Sequence, residues 1–134
     1  MLSIVLFVAY LVSLVANTFV SLKYPDGTIT VVMLLLSTIL LVIDILWIRK
    51  AFNSKWGKGL KIFALCGMMT GPVVWLIGTF DFLEIVSAVQ YPLYIVFITP
   101  FFGLNLLLDV SYQVFSLIVS VYYLIIVLYL YIKK

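Results

Sequence analysis

The stretches Leu2 to Leu22, Ile29 to Ile43, Ile62 to Phe80 and Ile85 to Leu108 carry no charged residue at all. Each approaches or exceeds the roughly 20 residues that an α-helix needs to cross a hydrocarbon layer about 30 Å thick. A backbone in lipid must satisfy its own N–H and C=O groups, and the runs lack the alternating polar pattern of a barrel strand, so helix is the only secondary structure left. The predicted fold class is all-α, a polytopic transmembrane helical bundle forming a single integral membrane domain over residues 1–134. With 66% hydrophobic and 10% charged residues, a chain of this size has too much apolar surface for one core, and the excess must face lipid.

The same composition removes several chemistries. There is no histidine and only one cysteine, Cys66, so disulfide frameworks, zinc sites, haem ligation through histidine and dithiol redox chemistry go together. No cofactor and no metal is expected. The formal charge of +3 is gathered between spans and at the tail, the way membrane topology is written, and does not point to nucleic acid. The first run has no basic residue before it and is longer than the h-region of a secretory signal, so it is expected to stay as a span.

Spans are expected at about 2–22, 29–48, 62–80 and 112–132, with 85–108 as a kinked or re-entrant segment. Lys23-Tyr24-Pro25-Asp26-Gly27 reads as the tight turn of a hairpin. Residues 49–61 hold Arg49, Lys50, Lys55, Lys58 and Lys61 with no acidic residue, so this loop and the N-terminus are expected on the cytoplasmic side of the cell membrane. Pro92 and Pro100 must kink or break 85–108, and Thr99 before Pro100 has the form of a helix N-cap. Read as a crossing, that segment makes five spans; read as re-entrant, it makes four and brings Lys133 and Lys134 to the basic side. Hydropathy and length favour five, charge favours four, and five is the expectation.

The candidate functional positions follow from what is expensive in lipid. Asp44 is a carboxylate within a span, which points either to an ion or substrate path or to an ion pair with Lys58 or Lys61 across the turn. Asn17 sits in a stripe with Ala9, Ser13 and Ser21 that should face protein, with Ser37, Thr38, Ser116 and Ser120 as available partners. Asp81 and Glu84 have the spacing of a capping box, and as paired carboxylates could also hold a cation. Gly67 and Gly71 form a GxxxG followed by Pro72, which frees the Met68 carbonyl; the pair serves as a hinge, a dimer seam or internal packing, with the Thr70 hydroxyl near the freed group. Tyr122, Tyr123, Tyr129 and Tyr131 fall in the second half of the last span, and the tyrosines near its end suit an interfacial belt. Lys55, Lys58 and Lys61 with Trp56 are placed to meet anionic lipid headgroups.

Three functions remain open. The leading one is a non-enzymatic accessory, interaction or immunity-type protein acting on lipid, on other membrane proteins or on itself. The second is an oligomeric transporter or channel component using Asp44, Asn17 and the Pro92–Pro100 break. The third is a lipid-modifying enzyme built on Asp81, Glu84 or Asp109.

Overall fold

A computed structural model describes residues 1–18, 30–51, 57–80 and 84–132. The chain is a helical bundle of the polytopic class. Its elements are α1 (Leu2–Thr18), α2 (Val31–Ala51), α3 (Gly57–Phe80), α4 (Glu84–Phe97), a 3-10 segment (Thr99–Leu104), α5 (Asn105–Leu108) and α6 (Tyr112–Ile132). Helices α2, α3 and α6 are each long and apolar enough to cross a membrane, and α1 is an apolar helix of 17 residues.

The bundle is apolar outside, and polar side chains are buried inside it among a hydrophobic core. Ile4 is 69% exposed, Val15 71%, Val32 64% and Ile62 65%, whereas Ser13, Asn17, Ser37, Thr70, Thr99 and Ser116 are fully buried. Water would reverse that arrangement; hydrocarbon favours it, because polar side chains then have only one another and the backbone to bond.

Two helix pairs make the frame. In the first, α1 runs antiparallel to α2: Trp47 Nε1 donates to Ser3 Oγ at 2.9 Å, and farther along Asn17 Nδ2 donates to Ser37 Oγ at 3.1 Å. In the second, α3 runs antiparallel to α6. The Lys61 ammonium lies 5.0 Å from the centre of the Tyr131 ring at one end, and Gln113 packs so closely on Gly78 at the other that a Cβ there would come within 2.6 Å of Nε2. The 3-10 segment packs on both α1 and α2 and ties the pairs together.

The ends of the second pair decide the topology. Gly78 and Gln113 are neighbours, so the chain between them leaves and returns at the same end of the bundle. It reaches the middle, where the Phe97 ring lies tilted 4.8 Å from Phe63 and meets Tyr123 edge-to-face at 5.6 Å, and comes back out past Gly103 against Met33 and Phe102 against Phe115. Among the described residues, therefore, 85–108 does not traverse the bundle while α1, α2, α3 and α6 do, against the expectation of five spans, and the end of α6 lies beside Lys61. The two limbs, Gln90–Phe97 and Thr99–Leu108, are bent by 56°. The returning limb ends at Asp109, whose left-handed backbone (φ 47°, ψ 52°) closes α5, and the Asn105 side chain clamps the exit by donating to Val110 O at 2.8 Å and accepting from Val110 N.

Other boundaries also move. α2 continues through Arg49 and Lys50 to Ala51, and α3 begins at Gly57, so Lys58 and Lys61 are helical rather than part of a loop; Lys55 and Trp56 lie outside the described residues. Thr99 is not an N-cap: Ile98 holds that position without a side-chain bond, and the Thr99 hydroxyl donates back to Tyr94 O at 3.4 Å. The capping box falls largely outside the described residues, which exclude Asp81 and retain of Glu84 only its place as the first residue of α4. The end of the expected first span, Ser21 and the Pro25–Gly27 turn are likewise outside them.

Candidate functional site

Between the two pairs lies a partly open cavity of about 520 Å³. It runs from Ser3, Trp47, Gly59 and Leu60 at the Lys61 end to Phe101 of the re-entrant segment. Its wall is aliphatic and aromatic, with Phe7, Tyr10, Trp47, Phe63, Phe101 and Tyr123 contributing rings, and it contains one carboxylate, that of Asp44. Pockets of roughly 300–1,000 Å³ with an apolar lining and a few convergent polar groups are the usual form of a small-molecule site.

Asp44 stands seven positions before the last residue of α2, about 10 Å from the helix end, deeper than a span ending at residue 48 implies. Its partner is neither Lys58 nor Lys61. The Tyr122 hydroxyl donates to Asp44 Oδ2 at 2.6 Å, linking α2 to α6. Lys58 is exposed on the first turn of α3, and Lys61 is over Tyr131. Tyr122 packs on Phe101 and Tyr123, and the Tyr123 hydroxyl donates to Phe97 O at 3.3 Å. These two tyrosines belong to the bundle interior rather than to an interfacial belt, and their role is not visible in local sequence because the groups they bond come from other helices.

The break in the re-entrant segment is satisfied carbonyl by carbonyl. Pro100 has no N–H to give to Val96 O, and the Tyr10 hydroxyl donates there at 2.8 Å instead. Phe101 N turns to Ile98 O at 3.0 Å, which frees Phe97 O for Tyr123. Pro100 O accepts from Ser13 Oγ at 2.5 Å and from Ser37 Oγ at 3.0 Å, with Asn17 Nδ2 at 3.4 Å. Asn17 thus meets Ser37, as the stripe on α1 implies, but Thr38 bonds its own helix at Leu34 O, and Ser116 and Ser120 serve a different seam.

That second seam is the GxxxG. Ser120 Oγ of α6 accepts from Gly71 N at 2.7 Å and donates to Gly67 O at 3.3 Å, so one hydroxyl bridges the backbones of both glycines. A Cβ on Gly67 would lie 2.6 Å from the Tyr123 ring, and one on Gly71 would strike Ser120 Oγ and Ser116 O. Gly67 and Gly71 are accordingly internal packing. Thr70 donates to Cys66 O at 2.9 Å rather than to the Met68 carbonyl that Pro72 frees. Pro92 is exposed within α4; the sharp bend follows Phe97. Among the described residues no cluster of three or more His, Cys, Asp or Glu side chains is placed to hold a metal ion.

No family model, curated protein or solved structure matches the chain.

Proposed function

We propose that this chain is a non-enzymatic, multi-pass protein of the cell membrane that binds a lipophilic cation between its two helix pairs, as the binding unit of a small transporter. The observation that carries the reading is a single carboxylate, Asp44, in the wall of an otherwise apolar and aromatic cavity. A cationic centre beside Asp44 gains from opposite charge in a poorly screened setting and from the faces of the surrounding rings, the pairing by which quaternary ammonium groups are recognised. The aliphatic wall suits the rest of such a molecule. Tyr122 holds one carboxylate oxygen in place. Transport is favoured over storage by the re-entrant segment, whose Phe101 ends the cavity on one side, since interrupted helices that meet substrate near the bundle centre are the usual construction of carriers.

In this reading the N-terminus and residues 49–61 are cytoplasmic, and Lys55, Lys58 and Lys61 with Trp56 rest against anionic headgroups, each charge adding about 1 kcal/mol of attraction near the surface. The absence of histidine supports a non-enzymatic role, since the buried serines have no imidazole to activate them. Asp109, the described member of the lipid-enzyme reading, is exposed at the opposite end of the rods from Trp47 and Gly59.

Equilibrium dialysis of tetraphenylphosphonium against the purified chain in detergent tests the proposal. Saturable binding is expected, weakened about tenfold or more in Asp44→Asn, with tetraphenylborate, an anion of similar shape, not competing. Equal binding of both probes, or unchanged affinity in a folded Asp44→Asn protein, would return the chain to the accessory or immunity-type class.

A further inference from the structure

The cavity opens where its wall residues reach the outside of the bundle. Leu40 and Ile48 of α2, Leu60 and Ala64 of α3, and Tyr123 and Ile126 of α6 line it and are buried. Phe7 of α1 and Phe63 of α3 line it too, yet they are 61% and 42% exposed. One helical turn nearer the Lys61 end, Ser3 and Gly59 are also both lining and exposed, and a Cβ added to Gly59 would meet nothing within 4 Å. The other sides are shut. Trp47 bonds Ser3 between α1 and α2, Tyr122 bonds Asp44 between α2 and α6, and α3 packs along α6. Deeper in, the end of α4 bridges α1 and α3, with Val96 O accepting from Tyr10 and Phe97 packed on Phe63. The opening is therefore a slit between α1 and α3, edged by Ser3 and Phe7 on one side and by Gly59 and Phe63 on the other.

We propose that this slit is a lateral portal, and that the ligand of the cavity enters through it from the lipid of the basic-side leaflet rather than from water. The identity of the ligand rests on the cation reading above; the route does not. Phe7 stands five positions beyond the first residue of α1 and Phe63 six beyond that of α3, about 8 and 9 Å from the helix ends at 1.5 Å per residue, close to the depth of Asp44. Their exposed neighbours are Ile4, Val8 and Ile62, so the slit faces hydrocarbon. The water at that end is guarded by charge of one sign. Arg49, Lys50 and Lys58 are exposed and Lys61 is half-buried, and Asp44 is the sole carboxylate among the described residues of that half of the bundle. A cation approaching along the bundle axis meets like charge. A lipophilic cation already dissolved beneath the headgroups has passed those lysines and meets the rings of Phe7 and Phe63, which attract it. The portal adds a criterion that the cavity alone lacks: a cation must first dissolve in lipid, so one that fits Asp44 but stays in water is refused.

Thiol labelling of the full chain in lipid vesicles tests the route. A single cysteine is placed on the cavity wall as Leu40→Cys in a Cys66→Ser background. It is offered two methanethiosulfonates on both sides of the membrane, the neutral, lipid-soluble benzyl reagent and the anionic, water-soluble sulfonatoethyl reagent, which the basic end would attract. Each rate is divided by that of the same reagent with the chain unfolded in dodecyl sulfate. The benzyl reagent is expected to react about tenfold faster or more on that scale, because a charged reagent is costly to bring through hydrocarbon. Phe7→Ala, which widens the slit, should speed the benzyl reaction severalfold; Gly59→Trp, which sets a ring into the open space, should slow it; and Ile4→Ala, outside the slit, should leave it unchanged. Neither reagent is a cation, so these rates report the route even if tetraphenylphosphonium does not bind, and the dialysis experiment reports the ligand whatever the route. A sulfonatoethyl reaction as fast as the benzyl one would place the opening in water and overturn the proposal. So would a thiol that neither reagent reaches, or benzyl rates that Phe7→Ala and Gly59→Trp both leave unchanged.

Discussion

Tyr122 and Asp44 show how a charge within a span is kept. The sequence gives the carboxylate a cost but no partner, and proximity along the chain suggests the lysines of the next turn. The bond actually made joins residues 78 apart in sequence, a separation at which no local pattern carries information. Removing the hydroxyl leaves the Asp44 oxygen without its donor, so Tyr122→Phe is expected to lower stability by about 1–2 kcal/mol. The measurement is a double-mutant cycle with Asp44→Asn in detergent, and additive losses would show that the two side chains do not interact. Asn17 was more legible, because an amide on a small-residue stripe must face protein, and Ser37 could be named from sequence. The third partner, Pro100 O, could not, since it is a backbone group exposed only by the break.

At the scale of elements, apolar run length located the rods, and α6 follows the expected 112–132 boundaries. Prolines located the break, because a missing N–H is a local fact. What sequence could not assign is which hydroxyl replaces each lost bond at the break: Tyr10 and Tyr123 are recruited from other helices to do so, and Ser120 bridges the backbones of the glycine pair. The GxxxG seam gives a direct contrast among glycines. Gly71→Ala pushes a methyl into Ser120 Oγ and the Ser116 carbonyl, and is expected to cost about 1–3 kcal/mol as overpacking. Gly59 has nothing within 4 Å of an added Cβ, so Gly59→Ala in the first turns of α3 should be neutral or stabilising by up to about 1 kcal/mol. Unfolding midpoints of the two variants check this, and equal effects would mean that α3 and α6 do not meet at Gly71.

For the molecule as a whole, the cavity and the polar node at Pro100 both depend on the segment between α3 and α6 entering and leaving from one side. That return brings Phe101 to the end of the cavity and Pro100 to Ser13, Asn17 and Ser37; a fifth crossing would put the end of α6 on the far side and dismantle both sites. In the sequence the terminal Lys133 and Lys134 point to an even number of crossings, and the length of 85–108 points the other way. Hydropathy measures only whether a segment tolerates lipid, and a hairpin buried among helices tolerates it as well as a crossing does. The direct test is sidedness of labelling by a membrane-impermeant maleimide in sealed vesicles, using single cysteines at Lys58, Ser111 and Ile132 in a Cys66→Ser background. Positions 58 and 132 should react from the same side and 111 from the other; reaction of 132 from the side opposite 58 would contradict the four-rod arrangement and the sites that depend on it.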